Sequence, residues 1–183
     1  MKIFFTASFY GKKDYQKQYD LVLKAIQKYE KDIISPELGN YIKVINDKEK
    51  LKLKDLRAIH YKAIRRDISL ADGIIIEISN QDFQLGHEAT LAIQNKKPVL
   101  CLSIHEDMSE KIKDPLFKGA KYNSSNLDSI IEKFLKESQK SILNQRFNLF
   151  ISPAQEEYLN KVSNEKKMTK SAYIRALIDQ DRK

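Results

Sequence analysis

Gly73-Ile74-Ile75-Ile76-Glu77-Ile78 is followed by Gln84-Leu85-Gly86-His87-Glu88-Ala89-Thr90-Leu91-Ala92 and then by Pro98-Val99-Leu100-Cys101-Leu102. The first and third runs are nearly continuous in apolar side chains, as strands buried on both faces of a parallel sheet are. The middle run reads as a loop entering a helix. Strand, loop, helix, strand is the repeating unit of an α/β fold. The expected class is therefore an open parallel sheet flanked by helices. Gly86-x-Glu88 reads as the junction of loop and helix, which places Glu88 at the carboxyl edge of the sheet. Ligands of open α/β sheets bind at that edge. Glu88 is the expected nucleophile of a small-molecule pocket, kept ionised by the helix dipole. The plainer alternative is that the same dipole favours an acid in any first helical turn. Glu77 interrupts its strand, and a carboxylate there is costly unless hydrogen-bonded or paired. Either it lies at the strand's wet end or it positions a ligand or a neighbouring loop.

Working outward, Lys2 to Thr6 is a first strand, broken by Ala7-Ser8-Phe9-Tyr10-Gly11. Tyr15, Tyr19, Val22, Leu23 and Ile26 then recur at helical spacing. Small residues and free backbone amides between a strand and a helix suit an anion or a sugar. The loop carries neither a Gly-x-Gly-x-x-Gly nor a Walker pattern, and it reads equally as a turn. Lys31 to Pro36 gives a short second strand, and Asn40 to Asn46 a further strand or an irregular insert. From Asp47 a charged segment runs into a helix through Leu70, with Ile59, Ala63, Ile64, Ile68 and Leu70 at helical spacing. Asp67 and Asp72 bracket the turn into the next strand. A last strand is expected near Ala120-Lys121-Tyr122. Leu127, Ile130, Ile131, Phe134 and Leu135 mark the helix that closes the domain.

The chain has 183 residues, 42% of them hydrophobic and 32% charged, with a net charge of +8. That suits one medium domain with a small appendage and a real core. No apolar run approaches the roughly 18–20 residues that span a bilayer, so no membrane partner is expected. Met1 to Thr6 reads as a strand rather than a signal peptide, and a cytoplasmic location is the default expectation. The single cysteine, Cys101, reads as a core residue. His60, His87 and His105 lack spaced partners, so no metal and no cofactor is expected.

Near Ser138-Gln139-Lys140-Ser141 the pattern changes. Residues 1–138 form the first domain, 139–144 a linker, and 145–183 a second domain. Arg146-Phe147-Asn148-Leu149-Phe150-Ile151 alternates as a strand. Ser152-Pro153-Ala154-Gln155 carries the N-cap, first-turn proline and capping glutamine of a helix start. Leu159 and Val162 supply its apolar face. Lys166-Lys167-Met168 is a turn, and Thr169 caps a second helix bearing Tyr173, Ile174, Leu177 and Ile178. So short a segment buries too little surface to be stable alone. Dimerisation through the strand is the expected remedy.

Residues 1–136 resemble the superfamily of nucleoside 2-deoxyribosyltransferases and deoxynucleoside-monophosphate N-glycosidases. The resemblance rests on Ile3-Phe4-Phe5-Thr6-Ala7-Ser8, on Asp67 with Ala71-Asp72, on Ile76-Glu77-Ile78, and on Leu85-Gly86-x-Glu88 with Ala92. It implies a flavodoxin-like fold with five parallel strands. It also implies cleavage or transfer of the bond between 2-deoxyribose and a base, with Glu88 as nucleophile. By the same resemblance Asp67 contacts the sugar or assists the leaving base. Ser8, Phe9, Tyr10, Gly11, Asp72 and Gly86 would line the substrate site, and Ser109 would reach a neighbouring subunit's phosphate site. The N-glycosidase branch usually has tyrosine where Phe4 stands, glycine where Gln84 stands and an aromatic residue where His87 stands. A domain that senses a deoxynucleotide without turning it over is therefore the second reading.

The tail resembles a ribbon-helix-helix DNA-binding domain, which pairs its strands across a dimer and lays them in the major groove. That implies a homodimer or higher homo-oligomer. Phe147, Leu149 and Ile151 would face the core. Arg146, Asn148 and Phe150 would face bases, and Lys167, Thr169, Lys170 and Ser171 would hold phosphate. The alternative is a tail that only assembles the oligomer.

Overall fold

The structure, a computed structural model, describes residues 1–142 and 147–181. The chain divides into two compact units, Met1–Asn144 and Gln145–Lys183. The first contains the strands β1 (Ile3–Ala7), β2 (Ile33–Ile34), β3 (Gly73–Glu77), β4 (Val99–Ser103) and β5 (Phe117–Lys121). They form one sheet in the order β2-β1-β3-β4-β5, and every pairing is parallel. This is one of the two common orders of doubly wound sheets, and its direction of winding reverses between β1 and β3. The register pairs Thr6 with Ile76 and Ala7 with Glu77, so the two central strands end together.

Side chains alternate across this sheet and divide the core in two. Ile3, Phe5, Ile75 and Leu100 pack against α1 (Lys12–Tyr29) and α5 (Leu127–Ile142), through Tyr19, Val22, Ile26, Ile131 and Phe134. Phe4, Ile74, Ile76, Val99 and Cys101 face α3 (Leu56–Leu70) and α4 (Phe83–Gln94), through Ile64, Ile68, Leu85, Ala89 and Ala92. Burial of each Ile, Leu, Val or Phe among them contributes about 1.5–3 kcal/mol. Both faces of β3 are covered, which explains its unbroken apolar run.

Several local expectations need correction. The charged segment from Asp47 is two helices, not one. A capping box of Asn46 and Glu49 starts α2 (Asp47–Leu53), Lys54 ends it at φ 54°, and Asp55 caps Arg57 N to start α3. Of the two readings of Asn40 to Asn46 the irregular insert holds, since it contains a 3-10 helix, Tyr41–Val44, and no strand. Its Tyr41, Ile42 and Val44 pack with Ile45, Ile59 and Ala63 as a small core of their own. The last strand starts at Phe117, three residues before the expected place.

The second unit contains α6 (Pro153–Glu165) and α7 (Lys170–Asp181). The expected capping box is present, with Gln155 N donating to Ser152 Oγ and Ser152 N donating to Gln155 Oε1. Thr169 Oγ accepts from Ala172 N at the start of α7. Leu159, Val162 and Tyr173, with Ile174 beside them, form its core. The strand expected over residues 146–151 is not formed among the described residues 147–151. Phe147, Leu149 and Ile151, expected in the core, are 84%, 58% and 39% exposed. A lone strand has no ladder partner, and no strand among the described residues of this unit pairs with that row. Among the described residues no helix is long and apolar enough to cross a membrane.

Candidate functional site

The two loops at the reversal point are joined at Ser8. Its hydroxyl donates to Asp82 Oδ2 at 2.8 Å and accepts from Asn80 Nδ2 at 2.9 Å and from Gly11 N. Gly11 is required by closeness: a Cβ there would lie 2.2 Å from Tyr19 Oη and 2.6 Å from Asn80 Cβ. Phe9 and Tyr10 project outward, mostly exposed, with their rings edge to face. Asp82 also caps α4, because its Oδ1 accepts from Gln84 N at 2.9 Å.

That cap moves the helix start. α4 begins at Phe83, so Gly86, His87 and Glu88 lie inside it rather than at its junction with the loop. A Cβ on Gly86 would meet nothing within 4 Å, so no close approach requires this glycine. Glu88 stands in the second helical turn, beyond the strong reach of the dipole, which is confined to the first. Its carboxyl is 2% exposed, and burial pushes it up to about 7 from its ordinary 4.5. The hydrogen bonds of Gln84 and Thr6 hold it down, and the charge of Asp82 adds to the rise. The expected dipole-stabilised carboxylate is therefore corrected to a buried carboxyl that is close to half protonated at neutral pH.

Gln84 Nε2 donates to Glu88 Oε1 at 3.0 Å and lies 3.0 Å from His60 Nε2. His60 Nδ1 meets Tyr41 Oη at 3.0 Å. Glu88 Oε2 is buried without a well-formed hydrogen bond among the described residues. The cavity between these groups, lined by Thr6, Ser8, Phe9, His60, Gln84 and Glu88 among others, has about 30 Å³ of free space. That is room for one water. An open groove of about 380 Å³ adjoins Asp82 on the side of Phe83, Met108 and Lys111.

Not every expected residue reaches this cavity. Asp67 and Asp72 lie at the opposite, amino edge of the sheet, because α3 runs antiparallel to the strands and delivers its last turn there. Asp72 Oδ2 accepts from Lys2 N at 2.8 Å and ties β1 to the start of β3. Asp67 is 1% exposed, its Oδ2 has no partner among the described residues, and burial raises it to about 7. Ser109 is exposed and bonded to Asp107 Oδ1 and Gly119 O. Glu77 is not at a wet end. It is fully buried on the α1 and α5 face, accepting from Ser79 and from Tyr122 Oη at 3.0 Å, and burial raises its pKa. His87 stacks on Tyr61, with ring centroids 5.8 Å apart.

His60, Thr6 and Asp82 are polar cavity groups that sequence reasoning missed, and so was Tyr41, which stands behind the imidazole. The available signal was the helical spacing of His60 with Ile64, which puts the imidazole on the buried face of α3 at its carboxyl-edge end. No protein-family profile and no curated protein matches this chain.

In the second unit Asn148 and Phe150 are exposed, and Arg146 lies outside the described residues. Lys167, at φ 51°, and Ser171 are exposed around the start of α7. Thr169 is engaged as its cap, and Lys170 pairs with Glu156 at 3.5 Å. Among the described residues no group of three or more His, Cys, Asp or Glu is placed to hold a metal.

Proposed function

We propose that the first unit binds a 2-deoxyribonucleoside or its 5′-monophosphate in a flavodoxin-like fold and cleaves or transfers its N-glycosidic bond through Glu88. One observation carries this reading: a buried carboxyl with one oxygen that lacks a well-formed hydrogen bond among the described residues, facing a cavity at the carboxyl edge beside the β1/β3 reversal. Breaking a glycosidic bond builds positive charge on the sugar, and a carboxylate below the ring stabilises it or bonds to the anomeric carbon. Water completes hydrolysis, or a second base completes transfer. Ser8 and the β1–α1 loop take the sugar side of the cavity. Incubation with all common deoxynucleosides and their monophosphates tests the proposal. Free base should form with wild type and not with Glu88→Ala; equal background rates on every substrate refute it.

The tail is proposed to pair with a second copy and to bind DNA. Support comes from its exposed apolar row at Phe147, Leu149 and Ile151 and from the capped helix pair behind it. Fluorescence anisotropy with genomic fragments should show strong salt dependence and loss on combined Arg146→Ala and Asn148→Ala. No binding at low salt leaves the tail as an assembly element only.

A deoxynucleotide-responsive repressor without turnover is the second reading. The Gln84 side chain lying across Glu88 favours it. Ligand binding without base release, together with a ligand-dependent shift in DNA affinity, would select it.

A further inference from the structure

Gln84 marks the meeting point of two groups that do not touch each other. Its amide nitrogen lies 3.0 Å from Glu88 Oε1 and 3.0 Å from His60 Nε2. An amide N–H only donates, so His60 Nε2 is the accepting nitrogen and Nδ1–H donates to Tyr41 Oη. Imidazole and carboxyl thus converge on one small volume, and their separation is at most twice 3.0 Å. Retaining glycosidases hold their two catalytic groups roughly 5–5.5 Å apart.

We propose that His60 is the acid–base catalyst at this site, handing a proton from Nε2 to the leaving base once a ligand has displaced the Gln84 side chain. This rests on Glu88 acting as proposed above. An oxygen of Glu88 bonds to the anomeric carbon as the carbon–nitrogen bond breaks. The electron pair of that bond goes to the base nitrogen, which takes the proton from His60. His60 then removes a proton from water, the water oxygen bonds to the anomeric carbon, and Glu88 is released. Burial supplies the starting proton, because it keeps Glu88 partly protonated while lowering the pKa of His60. Passing that proton from Glu88 to His60 creates the nucleophile and the acid together, and an imidazolium of lowered pKa gives its proton up readily.

The other acids are poorly placed for the role. Both oxygens of Asp82 are engaged, with Gln84 N and with Ser8. Asp67 is seven residues along α3 from His60, roughly 10 Å further down the helix axis. Tyr41 behind the imidazole holds its orientation, as a positioning residue.

The experiment compares leaving groups. The natural deoxynucleoside 5′-monophosphates need a proton on the departing base, whereas 7-methyl-2′-deoxyguanosine 5′-monophosphate carries a base that leaves without one. Wild type should release base from both classes. His60→Gln should lose at least about 100-fold on the natural substrates and stay within about tenfold of wild type on the methylated one. Glu88→Gln should be inactive on both. Far-UV circular dichroism confirms that each variant is folded, and Tyr41→Phe provides a milder second variant that should move in the same direction. A His60→Gln protein as active as wild type on natural substrates overturns the proposal, and so does equal loss on both classes. Those results leave Glu88 standing. A wild type inactive on both classes removes the Glu88 reading and this inference with it.

Discussion

Replacing Glu88 by Gln should stabilise the protein at pH 8 and leave it unchanged at pH 4. The folded carboxyl titrates near 7 and the unfolded one near 4.5, mainly because burial disfavours the charge. Below pH 4.5 both states hold the proton and nothing is lost. Between those values the unfolded chain releases a proton that the folded chain retains, so raising the pH favours unfolding by about 1.4 kcal/mol per unit. Above pH 7 the penalty is complete, at about 3 kcal/mol. Gln keeps the contact with Gln84 and carries no charge, so it removes that penalty. For a domain of this size the gain corresponds to a rise in Tm of roughly 6–12 °C at pH 8. Urea denaturation of both proteins at half-unit steps from pH 4 to 8, followed by circular dichroism, measures the difference. Carbon-13 NMR of the Glu88 carboxyl gives the midpoint directly. A difference between the proteins that does not change with pH would falsify the burial account, as would a carboxyl titrating near 4.5.

Gly11→Ala should destabilise the first unit by about 1–3 kcal/mol, because its Cβ would collide with Tyr19 Oη and Asn80 Cβ; urea midpoints report it. Asp67→Asn should raise stability above pH 7 by up to about 4 kcal/mol, since the carboxyl raised from 3.8 to about 7 is penalised only once it ionises; equal urea midpoints for the two proteins at pH 8.5 would count against this. Gln84→Ala should enlarge the cavity beside Glu88 and tighten deoxynucleotide binding several-fold, measured by calorimetry. Replacing Phe147, Leu149 and Ile151 together by Ser should shift the protein toward monomer in sedimentation equilibrium, if that row is covered by a second copy.

The unbroken Ile74-Ile75-Ile76 run fixed the reading of a central buried strand, because only a strand covered on both faces tolerates it. The parallel sheet and the position of Glu88 at its carboxyl edge follow from that strand and the helix after it. Ser8 and Glu88 were legible for the same reason: each follows a central strand. Asp67 and Asp72 were not, because they precede a strand, and a residue before a parallel strand lies at the amino edge. His60 was legible in principle: ten residues, about 15 Å of helix, separate it from Leu70, which carries it back to the carboxyl edge. It was passed over because it was weighed only as a metal ligand. Glu88's ionisation was misjudged because the sequence does not show how deeply the carboxyl is buried, and because Asp82, not Gly86, starts the helix and leaves Glu88 beyond its first turn.

The segment from Ser35 to Leu53 shares a small core with Ile59 and Ala63 of α3 and supplies Tyr41 to the imidazole while adding no strand to the sheet. Its ends are fixed by β2 and Asp55 and its inner side by α3, where Arg66 Nη1 donates to Val44 O at 2.9 Å and pairs with Glu49, so any exchange of this segment has to keep those contacts. Because it meets His60 through Tyr41, a graft that keeps those contacts would alter the surroundings of the imidazole while replacing no hydrogen-bond partner of Glu88. On the proposed function, the proton affinity of the imidazole is then open to redesign separately from Glu88, through residues that also cover Ile59 and Ala63.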